Sequence, residues 1–143
     1  TGGTIGSLID AGLYNVADGV SITNDGTITA STSNVSITGN VVGSTAIVGI
    51  YNAGSITALT NDSAGSISGS SYGVDNEGSI GTLTNSGIIS GNKADINNTS
   101  GSIGTLINVG SITSAGTNAV YSGKTITSQD LSVNNTGGTI GSL

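Results

Sequence analysis

Residues 76–91 read NEGSIGTLTNSGIISG, and residues 98–113 read NTSGSIGTLINVGSIT. Both stretches run from asparagine through glycine and serine to an isoleucine, and a leucine follows three residues after that isoleucine. Self-similarity at a fixed period of about 20 to 50 residues is typical of solenoids and other repeat architectures. This near-duplication therefore determines the expected fold class.

The same pattern extends along the chain in columns of aliphatic residues about 23 positions apart. An isoleucine after Gly-Ser or Gly-Thr forms the predicted anchor column, which is Ile5, Ile28, Ile56, Ile80 and Ile103. A second column follows the anchor and contains Tyr14, Ile37, Ile67, Ile89 and Ile112. A third column precedes it and contains Ile22, Ile50, Val74, Ile96 and Val133. A fourth lies three residues after it and contains Leu8, Leu59, Leu83, Leu106 and Leu143.

Each repeat holds three short segments in which an aliphatic residue is flanked by Ser, Thr or Gly. Alternation of this kind places the aliphatic residue inward and the hydroxyls outward on a β-strand. Glycine recurs too often for helices of ordinary length. We therefore predict an all-β chain, a parallel β-solenoid with three short strands per coil of about 23 residues and about six coils, in which stacking buries a continuous core.

Asparagine marks the turn that precedes each predicted anchor strand. The residues concerned are Asn24, Asn52, Asn76, Asn98 and Asn135. Asparagine tolerates left-handed backbone, and its side chain hydrogen-bonds local backbone groups. Stacked coil on coil, these residues are predicted to form an asparagine ladder, a device that stabilises cross-β stacks.

The period is irregular in two places. The 28–56 coil is longer than the others by five residues, which we assign to the segment around Gly39–Thr45. Residues 114–130 contain either an abbreviated coil or an extra excursion. TGGTIGSL occurs at both 1–8 and 136–143. We therefore expect residues 1–143 to be one β-helical segment, an excerpt of a longer repeat protein.

Composition excludes several classes of function. The 143 residues carry a formal net charge of −6, and Lys93 and Lys124 are the only basic side chains. Binding to nucleic acid requires several cations, so it is not expected. No stretch approaches the roughly 20 apolar residues of a membrane span, so direct membrane insertion is not expected either. The chain contains no Cys and no His, which excludes disulfides, thiolate metal sites and Ser-His or Cys-His catalysis within it.

GSIGTLTNSGIISG, together with the upstream SSYGVDN at 70–76, resembles the passenger domains of Gram-negative autotransporters (type V secretion), particularly the adhesin-like members. Their repeats commonly read G-x-I-x-x-L-x-N-x-G-x-I-x-G, and the similarity is best over residues 46–113. The resemblance implies a right-handed parallel β-helix displayed outside the outer membrane, with adhesion, autoaggregation or biofilm formation as its function. It supplies no catalytic residue.

Few side chains offer chemistry of their own, and we predict no catalytic residue, no cofactor and no metal site. The eight acidic residues build no carboxylate column and are interpreted as solvated surface charge. A weak cation or glycan contact is the alternative, with Tyr51, Tyr72, Asp75 and Glu77 as the possible contact residues. T-x-T units such as Thr27-Ile-Thr29 also allow an ice-binding surface, although Gly and Ser interrupt the array.

The sequence thus favours a non-enzymatic, extracellular segment of a bacterial surface adhesin. Its expected partners are further copies of itself, or a glycan or protein on another cell. A purely structural stalk or filament, a carbohydrate-active β-helix enzyme and an ice-binding solenoid are the alternatives. The stalk shares every sequence feature with the adhesin.

Overall fold

A computed structural model of the chain describes residues 3–5, 8–30, 39–41, 45–98, 100–112, 118–121, 132–135 and 139–140. Side chains are described for residues 11–29, 47–98 and 100–112. Secondary structure in these residues consists of seventeen short strands, and all of their pairings are parallel. The predicted all-β parallel architecture is confirmed.

Three sheets of five strands form the body of the fold. Sheet I contains β2 (Leu8–Asn15), β6 (Thr45–Asn52), β9 (Tyr72–Asn76), β12 (Ala94–Asn97) and β15 (Asn118–Tyr121). Sheet II contains β3 (Val20–Asn24), β7 (Ser55–Asn61), β10 (Ser79–Asn85), β13 (Ser102–Asn108) and β16 (Ser132–Asn135). Sheet III contains β4 (Thr27–Ala30), β8 (Ser66–Gly69), β11 (Ile88–Gly91), β14 (Ser111–Ile112) and β17 (Thr139–Ile140). A separate pair consists of β1 (Gly3–Ile5) and β5 (Gly39–Val41).

The chain visits sheets I, II and III in turn, which makes a β-solenoid with three strands per coil, as predicted. We number the coils 1 to 5, beginning with the coil of β2, β3 and β4. Neighbouring coils 2, 3 and 4 are separated by 22 to 24 residues, as the spacing of their stacked asparagines shows. Coils 1 and 2 are 37 residues apart. The described strands therefore stack five deep, where a uniform period led us to expect about six coils.

Aliphatic side chains from all three sheets meet in one continuous core. The columns in strand register are Ile50, Val74 and Ile96 on sheet I; Ile56, Ile80 and Ile103, with Leu59, Leu83 and Leu106, on sheet II; and Ile67, Ile89 and Ile112 on sheet III. Each of these side chains is at most 1 % exposed. Since identical or similar residues lie over one another, one coil provides the packing surface for the next.

The first coil was assigned to the wrong columns. Ile28 lies on sheet III over Ile67, and not in the anchor column of Ile56, Ile80 and Ile103. Ile5 lies in β1, which pairs with β5 outside the three large sheets. The cause is that sheets II and III both begin after an Asn-x-Gly turn. NAGSI at 52–56 opens sheet II, whereas NDGTI at 24–28 opens sheet III, so the local motif does not distinguish the two corners.

Other residues of the first and last coils also lie in columns that differ from the predicted ones. Ile22 pairs with Leu59 and Val133 pairs with Leu106, so both belong to the leucine column of sheet II. Tyr14 and Leu8 lie on sheet I, in β2. Ile37 and Leu143 lie outside the described residues. The spacing of the sequence therefore assigned residues to the correct columns only in coils 2 to 4, where successive coils are 22 to 24 residues apart.

The predicted asparagine ladder exists as two ladders, one at each end of sheet II. The first runs Asn15, Asn52, Asn76 and Asn98, and the second runs Asn24, Asn61, Asn85 and Asn108. At every step the Nδ2 of one residue donates to the Oδ1 of its equivalent in the next coil, at 2.7 to 2.8 Å. All eight side chains are buried, and they satisfy one another in the core.

Asn24 therefore stands in a different ladder from Asn52, Asn76 and Asn98. Asn135 pairs through its backbone with Asn108, which places it at the position of the second ladder in coil 5. No non-glycine residue in the described part of the chain has a positive φ. Hydrogen bonding by the side chain, rather than tolerance of left-handed backbone, thus accounts for the described asparagines.

The turns after the asparagines are stacked too closely to accommodate a side chain. A Cβ added to Gly78 would meet the carbonyl oxygen of Gly54 in the coil below, and a Cβ added to Gly87 would meet that of Gly65. Asn76 and Asn85 each donate an additional hydrogen bond to the carbonyl of the glycine two residues later, at 3.3 Å. The Asn-x-Gly unit is therefore required both for the side-chain ladder and for the close approach of the turns.

The two irregular segments are described in part. The extra residues of the first coil separate β4 from β6 and include β5 at Gly39–Val41, within the segment that we assigned to the insertion. The predicted length of five residues was wrong, since the first step of 37 residues exceeds the later steps by 13 to 15. Of residues 114–130, positions 118–121 form β15 in register with β12. Residues 113–117 and 122–131 lie outside the described part.

Ile80→Asn should destabilise the protein by roughly 3 to 5 kcal/mol, because it removes a buried side chain and places an unpaired amide in the core. Ser79→Asn is the matched control, since Ser79 is only half-buried one residue earlier on the same strand, and it should cost less than about 1 kcal/mol. Urea unfolding of both variants gives the comparison. Equal losses of stability would contradict the core position of Ile80.

Asn85→Ala should cost at least about 2 kcal/mol, because it removes two buried ladder bonds, the one that Asn85 accepts from Asn61 and the one that it donates to Asn108. Asn85→Asp keeps the acceptor for Asn61 and loses the donor, so it separates the two halves of the ladder bond. Asn92→Ala, at an exposed turn position, is the control. Thermal unfolding that shifts equally for Asn85→Ala and Asn92→Ala would show that the ladder contributes nothing.

Candidate functional site

In the part of the chain that the structure describes, charged residues lie only on one sheet and in the turns. The strands of sheets II and III contain no Asp, Glu or Lys. Sheet I contains Asp10, Asp75 and Asp95, and Glu77 and Lys93 lie in the turns beside its strands. Two sides of the described solenoid are therefore uncharged and one is charged.

The uncharged sides carry hydroxyl groups in columns. On sheet II, Thr23, Thr60 and Thr84 are in register, and Thr82 is in register with Thr105. On sheet III, Ser68 Oγ donates to Thr29 Oγ1 at 3.1 Å across neighbouring coils. Apolar residues interrupt the columns: Ala58 precedes Thr82, Ile107 follows Thr84, and Ile88 is 50 % exposed beside Ser66.

A cluster of tyrosines and acids lies on sheet I, and it includes all four residues predicted as possible surface contacts. The ring of Tyr51 stacks on Tyr14 with the centroids 4.8 Å apart and the planes at 26°. Tyr51 Oη donates to Glu77 Oε2 at 2.6 Å. In the next coil the position of Tyr51 is occupied by Asp75, which accepts a hydrogen bond from Asn97 Nδ2 at 2.8 Å.

These contacts change the acidity of the groups involved. The hydrogen bond to Glu77, then burial and nearby negative charge, raise the pKa of the Tyr51 phenol. Burial raises the pKa of Asp75, against the opposing effect of the Asn97 amide, and the charge of Glu77 raises it further. Tyr51 therefore remains neutral and keeps its proton in the bond to Glu77.

The side chains of the tyrosine–acid cluster differ in their exposure to solvent. Tyr51 and Asp75 are each only 5 % exposed, so neither presents an open contact surface. Tyr72 is half-buried, with Lys93 Nζ 5.9 Å from its ring centroid, and Glu77 is exposed. Tyr14, which was expected in an inner aliphatic column, is 58 % exposed and is the accessible aromatic ring of the cluster.

A repeated Tyr-Asn dipeptide in the sequence indicates that Tyr14 and Tyr51 lie in neighbouring coils. Tyr14-Asn15 and Tyr51-Asn52 have the same two residues, and both members of the pair are in register between β2 and β6. Matching these dipeptides would have revealed the 37-residue first step, the tyrosine stack and the place of Asn15 in its ladder. A search at a period of 23 residues does not bring them together.

Asp95 departs from the prediction that the acidic residues are solvated surface charges. Its side chain is completely buried. Oδ1 accepts a hydrogen bond from the Gly91 N–H at 2.7 Å, and Oδ2 has no partner. Burial raises the pKa of Asp95 to about 6, although the Gly91 N–H acts in the opposite direction.

The described residues contain no group of three or more acidic, His or Cys side chains that could hold a metal ion. They also include no helix that is long and apolar enough to cross a membrane. The features that distinguish the molecule are thus the two uncharged hydroxyl faces, the tyrosine–acid cluster and the buried Asp95. No protein-family model, no curated protein and no solved structure matches the chain.

Proposed function

We propose that this chain is a non-enzymatic segment of a bacterial cell-surface adhesin, similar to an autotransporter passenger domain, that acts outside the cell by associating with copies of itself. The observation that carries the proposal is the absence of charged residues from the strands of sheets II and III. The repeat G-x-I-x-x-L-x-N-x-G-x-I-x-G, which resembles that of autotransporters and is best matched over residues 46–113, supports the proposed location outside the cell.

Charge distribution determines which sides of two such molecules can meet. With a formal net charge of −6, copies repel one another wherever acids face acids. Sheets II and III avoid this repulsion because their strands contain no charged residue, and many of their outward groups are hydroxyls. A hydroxyl both donates and accepts, so identical faces can be complementary to each other.

Repetition compensates for the weakness of each contact. An intermolecular hydrogen bond between exposed hydroxyls contributes about 1 kcal/mol at most, and much of the interface would be bridged by water. A solenoid presents the same groups at every coil, about 4.8 Å apart. Many weak contacts that form together give high avidity between two long molecules while single contacts remain reversible.

A structural stalk is the second candidate, and the continuous core with its two asparagine ladders favours it. A ladder that locks each coil to the next gives the rigidity that a spacer needs. The stalk differs from the adhesin in one measurable property, since a spacer requires no association between its sides. No contact described here favours the carbohydrate-active enzyme or the ice-binding surface over these two candidates.

The double substitution of Thr82→Asp and Thr84→Asp should weaken self-association at least about tenfold, because like charges at contact distance cost about 1 kcal/mol per pair even in water. Sedimentation velocity across a concentration series measures the effect. Urea unfolding of the same variant verifies that the solenoid remains folded.

The control adds two acids at exposed turn positions, Ala53→Asp and Asn92→Asp, and so reaches the same net charge outside the strands of sheets II and III. It should associate like the unmodified chain. Equal weakening in both variants would attribute association to net charge alone. A chain that is monomeric at every concentration would reject the self-associating adhesin and leave the stalk.

A further inference from the structure

Asp95 occupies a position that is glycine in each of the three preceding coils. Strand register places Gly12, Gly49, Gly73 and Asp95 opposite one another on sheet I. The position faces sheet III across the core. A Cβ on Gly49 would lie 2.9 Å from Cγ2 of Ile67, and a Cβ on Gly73 would lie 2.7 Å from Cγ2 of Ile89.

Coil 4 therefore buries a carboxyl group where coils 1 to 3 have no side chain. One oxygen is satisfied by the Gly91 N–H, and the other has no partner at all. An ionised carboxylate that is fully buried, with no counter-ion among the described residues, is costly. A protonated carboxyl removes the charge and keeps the bond from Gly91, because its carbonyl oxygen still accepts.

Among the residues that the structure describes, none of the elements packed against Asp95 supplies a compensating charge. From β9 the facing residue is Gly73, and from β11 the Gly91 N–H donates to Asp95. Across the core, strand register places Ile112 of β14 at the level of Asp95, as Ile89 lies at the level of Gly73. β9 has two titratable residues, Asp75, which is bound by Asn97, and Tyr72, whose ring lies under Lys93. Tyr121, the one titratable residue of β15, pairs with Asn97. Lys93, in the preceding turn, is exposed and lies over Tyr72.

We propose that Asp95 makes the packing of coil 4 sensitive to pH, so that β12 is held tightly against the core when the carboxyl is protonated and is loosened when it ionises. The inference goes beyond the proposed adhesive function and does not depend on it. It assigns a response to pH to a residue whose position in the three preceding coils is filled by glycine.

The direction of the effect follows from proton linkage. Burial raises the pKa of Asp95 to about 6 in the folded chain, from 3.8 for the free side chain. Between these values the folded state holds the extra proton, so folding is favoured by acid and this contribution is lost as the pH rises through about 6. The folding constant should be about tenfold higher at pH 5 than at pH 7.5 through this residue.

Asp95→Asn tests the proposal, since asparagine keeps the acceptor for the Gly91 N–H and cannot ionise. Urea unfolding of the unmodified chain and of Asp95→Asn at pH 5 and pH 7.5 should show that the substitution removes about tenfold of the pH dependence. Asp25→Asn, in an exposed turn, should retain the full dependence. Asp75 contributes the same background to all three proteins and cancels in the comparison.

The same pH dependence in Asp95→Asn as in the unmodified chain would overturn the proposal. Should Asp95→Asn fail to fold, the carboxyl carbon of Asp95 can be titrated by NMR in the unmodified chain. A midpoint near pH 6 with accompanying shifts in the amides of β12 would support the proposal. A midpoint near pH 4, or a titration that leaves the β12 amides unchanged, would reject it.

Discussion

Parallel stacking in register makes each residue of this solenoid a neighbour of its own equivalent. Directly opposed side chains in a sheet interact at close range, and like charges there are destabilising. Columns must therefore be built from residues that tolerate their own kind: isoleucine on isoleucine, asparagine on asparagine, threonine on threonine. The low charge content of 7 % and the absence of proline, which would interrupt the ladder on one side of its strand, both agree with this constraint.

Sheet I departs from this stacking of like residues on like residues. Its outer column changes from Tyr14 and Tyr51 to Asp75 and Asn97, and its inner column changes from glycine to Asp95. Each change creates a specific contact, such as the tyrosine stack, the amide–carboxylate bond or the Gly91 N–H to Asp95. Sheets II and III keep their core columns almost constant, and their strands carry no charged side chain. The solenoid thus has two sides without charged residues and one side, sheet I, whose residues change from coil to coil.

Sequence periodicity was sufficient for the fold class, the three strands per coil and the columns of coils 2 to 4. It failed for Ile5, Ile28 and Ile22, because the corners before sheets II and III use the same turn motif and only the 37-residue first step separates them. It also joined two asparagine ladders into one, for the same reason. The burial of Asp95 could not be predicted because a single acid beside a turn has no periodic signal, and its depth depends on the register between β9 and β12.

The two ladders also affect how charge is distributed along the solenoid axis. Every ladder bond donates from an earlier coil to a later one. In the adjoining turns the backbone bonds between coils run the other way, for example from the Glu77 N–H back to the Asn52 carbonyl and from the Ser86 N–H back to the Asn61 carbonyl. Side-chain and backbone amides are the same chemical group, so their dipoles oppose one another at these corners. An α-helix accumulates a macrodipole because all its peptides are aligned. In the stacked corners the opposed side-chain bonds reduce the axial dipole that the backbone bonds alone would give.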